Sequence, residues 1–324
     1  MIPTQVLDFE RPLVELRRKI EELRGSAEGN EAVTREVDGL ERQLRKLEKE
    51  VFQNLTPWQK VQLARHPRRP YTLDYVTAMF TEFSELHGDR LFGNDQSVVA
   101  GLGFLGKRPV VVVGHQKGRT TKDKIARNFG MSHPEGYRKA MRMMELATRF
   151  SKPLISFVDT PGAYPGIGAE ERGIAEAIAR NLKVMMQMPV PVVVVVIGEG
   201  GSGGALGIAV GNVVLMLEYS IYSVISPEGC AGILFKDDVN NPAHAPEMAK
   251  NLGLTADDLA RLNVIDEIIP EPPGGAHTDP GRAADAVREA VERHLVGLES
   301  LDGQQLIAQR MDKFARMGAF LNET

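Results

Sequence analysis

The aliphatic run Val190–Ile197, which leads directly into the glycine-rich segment Gly198–Gly204, constrains the fold more than any other feature of the sequence. β-branched residues favour extended backbone, and a run without polar alternation is typical of a strand buried on both faces. Such strands occur in parallel sheets that are covered by helices on each side. We therefore predict an α/β fold with a parallel sheet.

A second strand has the same context. Leu154–Asp159 also ends in a glycine-rich turn, Asp159–Gly166, and precedes a predicted helix from Ala169 to Met188. Strand, turn and helix in succession are the repeating unit of parallel α/β folds. Similar patterns predict strands at Val98–Phe104, Pro109–Gly114, Val213–Leu217, Ile221–Ile225 and Val264–Ile269, the first two as a hairpin, and helices at Pro134–Phe150, Ala205–Val210 and Pro246–Leu262.

Both ends of the chain are predicted to be helical. Between Glu10 and Glu50, 21 of 41 residues are charged, and apolar residues recur every three or four positions. A break at Gly25–Asn30 makes this an antiparallel helix pair, suited to packing or oligomerisation. Amphipathic helix is predicted again from Arg282 to Phe320, in two segments. We thus expect a helical hairpin at 1–56, a central α/β domain at 57–280 and terminal helices at 281–324.

The charge and the cysteine content exclude several classes of protein. A formal net charge of −4 gives no global positive field, so nucleic acid and anionic membranes are not expected partners. The single cysteine, Cys230, excludes an internal disulfide and suits a reducing compartment. No apolar run approaches the roughly 20 residues that span a bilayer, and the acidic N-terminus is unlike a signal peptide. We predict a cytoplasmic protein.

Two familiar motifs can be read from the glycine-rich segment, and both have the wrong context. Gly198–Gly203 fits the dinucleotide fingerprint, which normally occupies the first strand–helix unit of its domain, whereas this copy follows several strands. The residues around Ser202 spell a nucleophile elbow. However, no spacing ties His244, His277 or His294 to that serine. Neither a nicotinamide cofactor nor a serine nucleophile is therefore expected.

A phosphate-binding loop and a metal site also lack support. Gly101–Lys107 spells G-x-x-x-x-G-K, but Arg108 stands where Ser or Thr is required to reach magnesium. The histidines form no pair at i, i+4 spacing, and one cysteine cannot make a zinc finger. We therefore expect neither ATP binding nor a metal ion in this chain.

The glycine-rich turns can act through their backbone amides. The first N–H groups of a helix lack intrahelical acceptors, and the helix dipole makes this end positive. Glycine, which has no Cβ, lets a ligand oxygen approach closely. The chemistry that uses such amides without a nucleophile is stabilisation of an oxyanion, for example a thioester enolate or the ureido oxygen of biotin. Tight turns without a chemical role are an equal alternative.

Nine basic residues lie between His115 and Arg149, against three acidic ones. This cluster can hold an anionic ligand such as the phosphates of coenzyme A. The candidates are Lys117, Arg119, Lys122 and Arg127. A solvated helix face explains the same charges equally well. His115 and Gln116 are either ligand contacts or the satisfied polar end of a strand.

Stretches along nearly the whole chain resemble the α subunits of bacterial acetyl-coenzyme A carboxylase carboxyltransferase. These stretches are Leu7–Glu10, Ala64–Val76, Gly114–Arg119, Asn128–Met131, Asp159–Gly166, Gly168–Gly173, Ile197–Ala205, Ser226–Cys230 and Ile269–Pro272. Together they are more specific than any single glycine motif. The segment Asp237–Ala245 departs from the family pattern, and we infer nothing from it.

The resemblance implies a crotonase-like superhelix of β-β-α units, with an N-terminal helical arm and C-terminal helices. It also implies that this chain is half of a carboxyltransferase whose other half is a separate, zinc-bearing β subunit, with two α and two β subunits in the assembly. The implied reaction moves a carboxyl group from carboxybiotin, held on the biotin carboxyl carrier protein, to acetyl-coenzyme A. The product is malonyl-coenzyme A for fatty acid synthesis, and biotin carboxylase is a further implied partner.

The resemblance also assigns roles to residues. The amides of Gly203, Gly204 and Ala205 would face the ureido oxygen of biotin, while the β subunit serves the thioester enolate. Gly162 and Ala163 are a second pair of candidates. Biotin freed of its carboxylate would act as the base toward the acetyl methyl group, which explains why no side-chain nucleophile is evident.

Two other functions are consistent with the residues alone. A stand-alone crotonase-type hydratase or isomerase needs a carboxylate base beside the amides, and Glu199 is the candidate. A non-catalytic scaffold would use its helical arms to assemble partner proteins.

Overall fold

The computed structural model describes residues 6–25, 31–238 and 243–318. The strands are β1 (Thr81–Glu85), β2 (Val98–Leu105), β3 (Arg108–His115), β4 (Leu154–Thr160), β5 (Val192–Gly201), β6 (Val213–Leu217), β7 (Ile221–Ser223) and β8 (Glu267–Ile269). The helices are α1 (Arg11–Arg24), α2 (Glu31–Gln53), α3 (Pro57–Ala64), α4 (Thr72–Met79), α5 (Thr121–Ala126), α6 (Pro134–Arg149), α7 (Ile167–Glu171), α8 (Ile174–Gln187), α9 (Ser202–Leu206), α10 (Pro227–Leu234), α11 (Ala245–Asn251), α12 (Ala256–Arg261), α13 (Pro280–Leu298) and α14 (Gly303–Ala315).

Within these ranges the strands form one eight-stranded sheet in the order β1-β2-β3-β4-β5-β6-β8, with β7 paired to the far end of β5. The first two pairs are antiparallel, so the predicted hairpin of β2 and β3 is confirmed. From β3 to β8 the pairs are parallel. Because parallel strands end at the same edge of a sheet, the segments after β3, β4 and β5 can meet there.

Strand β5 lies between two hydrophobic layers, which is the arrangement that its uniform composition predicts. Val192, Val194 and Val196 face one layer, which includes residues of α6 and α8. Val193 and Val195 face the other, which includes residues of α4 and α13. All five are fully buried. Burying a valine side chain stabilises the fold by about 1.5–3 kcal/mol, so this strand anchors both layers.

The predicted boundary between β5 and its glycine turn is wrong. The strand continues through Gly198 to Gly201, and its last residues pair with β7, for example Gly200 with Tyr222. A Cβ on Gly200 would lie 2.6 Å from the ring of Tyr222, and one on Gly201 would lie 2.1 Å from the Pro161 carbonyl oxygen. At these positions glycine allows neighbouring residues to pack closely on the strand, and it does not form a turn. Helix α9 accordingly begins at Ser202, earlier than predicted, and ends at Leu206.

Other predicted elements are present with different bounds. The helix predicted from Ala169 to Met188 is divided at Gly173, which adopts a φ of 79°. The helix predicted from Pro246 to Leu262 is divided into α11 and α12 around Gly253, at a φ of 58°. A positive φ suits glycine and cannot continue a helix. Strands β7 and β8 are shorter than predicted, whereas α6, α13 and α14 agree with the expectation.

The N-terminal helices form an antiparallel pair, as predicted. Arg17 pairs with Glu48 and Arg24 with Glu41. The later residue of α1 thus meets the earlier residue of α2, as in antiparallel helices. The pair packs on the rest of the protein through a small core that includes Leu13, Phe52, Leu63 and Tyr219. The predicted break at Gly25–Asn30 lies mostly outside the described residues. The division at 56 and 280 stays a prediction.

No helix in the described ranges is both long enough and apolar enough to cross a membrane.

Candidate active site

The two glycine-rich segments after β4 and β5 are in direct contact. A Cβ on Gly204 would lie 2.3 Å from the Ala163 nitrogen and 2.4 Å from the Gly162 carbonyl carbon. No side chain fits at such a distance from backbone, so only glycine is compatible with this packing. The structure thus brings together Gly162, Ala163 and Gly204, which the sequence singled out as two separate groups of candidates.

Helix α9 determines which of the predicted amides are available. Gly203 and Gly204 are the second and third residues after the N-cap Gly201, within the first turn, where N–H groups have no intrahelical acceptor. Ala205 is the fourth, so the carbonyl of Gly201 is its normal helical acceptor. The space next to Gly203 is open, since no atom lies within 4 Å of a Cβ placed there. Gly203 and Gly204 are therefore the stronger candidates.

The turn after β4 offers fewer free amides. The Gly162 N–H donates to Thr160 Oγ1 at 3.1 Å, and the Tyr164 N–H donates to the Ser132 carbonyl at 3.0 Å. Both groups are already hydrogen-bonded. Of the pair predicted here, Ala163 has the amide that lies against Gly204.

Ser202 has no catalytic partner among the three histidines that were candidates for a triad. His244 Nδ1 lies 2.9 Å from Asp237, His294 Nε2 lies 2.7 Å from Glu267, and His277 Nε2 lies 3.4 Å from Glu10. Ser202 itself is exposed, with a φ of 56°. Its place is explained by the transition from strand to helix.

Two buried carboxylates, on β4 and β5, are held by partly buried cations. Lys117 Nζ is 2.7 Å from Asp159 Oδ1 and 2.6 Å from Glu199 Oε2. Arg65 Nε is 2.6 Å from Glu199 Oε1, and Arg65 also pairs with Glu228. Burial raises the pKa of Glu199, but the charges of Lys117 and Arg65 outweigh it and lower that pKa to about 2. Glu199 is thus a stable carboxylate held by two cations.

This group changes the interpretation of Lys117. Burial lowers its pKa, but Asp159 and Glu199 more than compensate, so the net pKa is raised and the ammonium group stays charged. Both of its carboxylate partners already neutralise it. The side chain is therefore placed to bind the two carboxylates, and the prediction that it holds a ligand phosphate has no support from its surroundings.

The other three predicted anion-binding residues lie near the surface. Arg119 pairs with Asp74 and its guanidinium carbon lies 4.6 Å from the ring centroid of Tyr71. Arg127 Nε is 2.9 Å from Asp123, and its Nη1 donates to the Gln96 carbonyl. Lys122 is exposed and has no ion pair among the described residues. It is the member of the set that is most available to an anionic ligand.

The sequence pattern does not identify one buried ion pair next to the glycine segment, between Arg69 and Glu271. Arg69 is 1% exposed and donates from Nε to the Ile197 carbonyl at 2.7 Å, just before the glycine segment. Its guanidinium also contacts Glu271 at 2.9 and 2.6 Å. These partners are far apart in sequence, so no local pattern could reveal them. In the sequence, the stretch Ala64–Val76 stands out only through its resemblance to the family.

His115 and Gln116 have different surroundings. The Gln116 amide accepts from the Leu73 N–H and donates to the Lys117 carbonyl, each at 2.8 Å, so it is a satisfied strand end. His115 is fully buried and its ring lies beside the Gly204 backbone, although neither ring nitrogen reaches ordinary hydrogen-bond geometry among the described residues. Burial, and then the charge of Lys117, lower the pKa of His115 to about 3 and outweigh the nearby Gly204 backbone, which raises it, so the ring is neutral.

One group in the described ranges has the spacing of metal ligands. Atoms of Glu10, His66 and His277 lie within 4.8 Å of one another, and the two rings stack with centroids 3.8 Å apart. However, the Arg68 N–H donates to His66 Nδ1 at 3.2 Å, which leaves the ring proton on Nε2. A neutral His66 then has no lone pair left for a metal ion. We call this group the arm latch, because Glu10 precedes α1.

The sequence matches a known protein family over almost its whole length. Residues 6–318 match the family model described as acetyl co-enzyme A carboxylase carboxyltransferase-like. The acetyl-coenzyme A carboxylase carboxyl transferase subunit alpha of Geobacter metallireducens is 57% identical over 314 residues, covering 97% of this chain and 98% of that protein. The protein of the same name from Geobacillus kaustophilus is 54% identical over 321 residues, covering 98% of each.

Solved structures with the same fold are more distant in sequence. Transcarboxylase 12S, solved with methylmalonyl-coenzyme A and methylmalonic acid, superposes with a TM-score of 0.56 at 18% identity, over 81% of this chain and 46% of that one. A Pseudomonas malonate decarboxylase hetero-tetramer in complex with coenzyme A gives 0.55 at 16% identity, over 69% and 89%. The crotonase-like α/β fold is thereby confirmed. With a family model that covers almost all of its length and relatives above 50% identity, the chain belongs to the acetyl-coenzyme A carboxylase carboxyltransferase α-subunit family.

Proposed function

We propose that this chain, together with a β subunit, transfers the carboxyl group of carboxybiotin to acetyl-coenzyme A and so forms malonyl-coenzyme A. Biotin would be supplied on the biotin carboxyl carrier protein, loaded by biotin carboxylase, in the cytoplasm. The membership of the α-subunit family supports this reaction. Two α with two β subunits remain the assembly that we expect, with zinc in the β subunit.

The observation that carries the proposal is the amide pair at the start of α9. Gly203 and Gly204 lie in the first helical turn, and Gly204 is pressed against the turn after β4. We assign their N–H groups to the ureido oxygen of biotin, which gains negative charge as the carboxyl group leaves. Preorganised donors of this kind typically contribute about 10²–10³ in kcat. Ala205, Gly162 and Ala163 are retained as weaker candidates.

The buried charges argue against the hydratase or isomerase alternative. A general base works best with a pKa near the operating pH. The Glu199 carboxylate is held by Lys117 and Arg65, and its pKa is lowered to about 2. Such a group is a poor base at neutral pH. A reaction in which the freed biotin takes the proton needs no base from this chain.

Exposed apolar residues in the segments that follow β3, β4 and β7 support a partner at this edge of the sheet. Phe129 follows β3, Ile167 follows β4, and Val224 and Ile233 follow β7, and more than half of each side chain is exposed. Clusters of this kind mark surfaces that another protein covers. We assign this surface to the β subunit, which would complete the site. For the coenzyme A phosphates we retain Lys122, with Arg119 and Arg127 as neighbours, and withdraw Lys117.

The test is reconstitution from purified proteins. The chain alone, the β subunit alone and the two together would be assayed for malonyl-coenzyme A formation from acetyl-coenzyme A and carboxylated carrier protein. We expect activity from the pair only. A folded, associated pair that fails to transfer the carboxyl group would contradict the proposal, and hydration of enoyl-thioesters by the chain alone would favour the alternative.

A further inference from the structure

Helix α9 is too short to satisfy its own carbonyl groups. The Gly207 N–H donates to the Gly203 carbonyl at 3.0 Å, as in a regular helix, but the Ile208 N–H donates to the Ala205 carbonyl at 3.2 Å. The Gly204 carbonyl therefore loses the donor four residues ahead that a longer helix would provide. Because Gly204 is buried, leaving this carbonyl without a donor would be unfavourable.

A side chain from another helix supplies the missing bond. Tyr137, on α6, is fully buried, and its hydroxyl donates to the Gly204 carbonyl at 3.0 Å. Burial raises the pKa of Tyr137 further above its ordinary value, so the hydroxyl remains protonated and can donate at any pH near neutrality. The two residues are 67 positions apart in sequence. The bond is thus a tertiary contact and not part of a local motif.

Tyr137 is itself held in place. A Cβ on Gly207 would lie 2.8 Å from the Tyr137 ring, so the ring packs directly on the end of α9. Asn181 Nδ2, on α8, lies 3.0 Å from both the Tyr137 carbonyl and the Gly207 carbonyl. These contacts fix α6, α8 and α9 relative to one another, so the hydroxyl cannot follow the glycine turn if that turn moves.

We infer that Tyr137 is a positioning residue for carboxyl transfer: by holding the Gly204 carbonyl it fixes the peptide unit after Gly204, so that Gly204 cannot rotate and its own N–H stays directed at the reacting oxygen. The inference rests on the proposed function. Glycine has the freest backbone, and two adjacent glycines would otherwise sample several orientations. With the Gly203 carbonyl bonded to Gly207 and the Gly204 carbonyl bonded to Tyr137, the peptide units on both sides of Gly204 are fixed before the ligand arrives.

The test is Tyr137→Phe in the complex of the chain with its β subunit. We expect kcat for carboxyl transfer to fall about tenfold, less than the roughly 10²–10³ lost when an oxyanion donor is removed outright. KM for acetyl-coenzyme A should stay within about twofold, since the substrate is not contacted. The fall in kcat should be the same from pH 6 to pH 9, because the tyrosine does not titrate there.

The matched control is Tyr75→Phe. Tyr75 is also fully buried, but its hydroxyl has no hydrogen-bond partner among the described residues. Thermal unfolding and association with the β subunit are measured for both variants, so that only folded complexes are compared. A folded Tyr137→Phe complex with wild-type kcat, or an equal loss in Tyr75→Phe, would overturn the inference. An inactive wild-type complex would instead count against the proposed function.

Discussion

Gly204 and Ala163 are in backbone contact, so close that a Cβ on Gly204 would lie 2.3 Å from the Ala163 nitrogen. Gly204→Ala must therefore displace the turn after β4. Overpacking of this kind costs about 1–3 kcal/mol, and we expect a lower melting temperature together with a loss of carboxyl transfer.

Gly203→Ala is the matched control for folding, because a Cβ on Gly203 meets no atom within 4 Å. Its melting temperature should stay close to that of the wild type, as measured by calorimetry. Equal stability of Gly204→Ala and Gly203→Ala would contradict the close contact between α9 and the turn after β4.

Replacing Lys117 by methionine leaves two buried carboxylates, Asp159 and Glu199, without their shared cation. Removing one partner of a buried ion pair typically costs about 3–5 kcal/mol. We expect Lys117→Met to lose about that much stability in denaturant unfolding. Lys122→Met, at an exposed position, should change stability by less than about 0.5 kcal/mol. A Lys117→Met chain that is stable but has a raised KM for acetyl-coenzyme A would restore the phosphate-binding interpretation.

Glu199 predicts a dependence of stability on pH. Its pKa is lowered from 4.5 to about 2 in the folded chain, so the folded state binds the proton more weakly than the unfolded state. The carboxylate therefore stabilises the fold by roughly 3 kcal/mol above pH 5, and this contribution disappears as the pH falls from about 4.5 to about 2.

Glu199→Gln should accordingly be much less stable than the wild type at pH 7, and the difference should shrink as the pH falls through that range. Urea unfolding at several pH values measures it. Glu170→Gln, at an exposed position on α7, is the control and should follow the wild type throughout. A constant difference between Glu199→Gln and the wild type would show that the carboxylate charge is not the cause.

The arm latch predicts how the N-terminal helices are attached. Glu10 accepts from the Leu7 N–H at 3.1 Å and lies 3.4 Å from His277 Nε2, so it joins the start of α1 to a loop more than 260 residues away. Glu10→Ala should increase amide hydrogen exchange in α1 while the protection of β5 is unchanged. Glu15→Ala, on the exposed face of α1, is the control. Equal hydrogen exchange in α1 of the two variants would show that the arm latch does not hold this helix in place.

Much of the sheet could be predicted from the sequence because its strands are uniformly aliphatic. Val192–Val196 has no polar residue, which predicts a strand buried on both faces, and all five valines are buried. The extension of β5 to Gly201 could not be predicted, since glycine usually weakens a strand. Glycine is required at these positions because Tyr222 and Pro161 approach the strand closely, and both residues are distant in sequence.

The candidate site was predictable only in part, for the same reason. The glycines could be identified by their position after strands. The role of Lys117 could not, because its partners Asp159 and Glu199 lie 42 and 82 positions further along the chain. A lysine near other basic residues looks like part of an anion site until its acidic neighbours are known. Tyr137 could not be identified from the residues around it, because its hydroxyl donates to a carbonyl on another helix.

Strand β5 has different neighbours along its length. Its aliphatic half pairs with β6, as at Val194 with Val214, whereas its glycine half pairs with β7, as at Gly200 with Tyr222. One part of this continuous strand therefore belongs to the hydrophobic core, and the other part leads to the candidate active site. Residues of β7 and the segments around it could therefore be exchanged, or could diverge during evolution, to change the surroundings of the glycine half. The valines that hold the two layers together would not have to change.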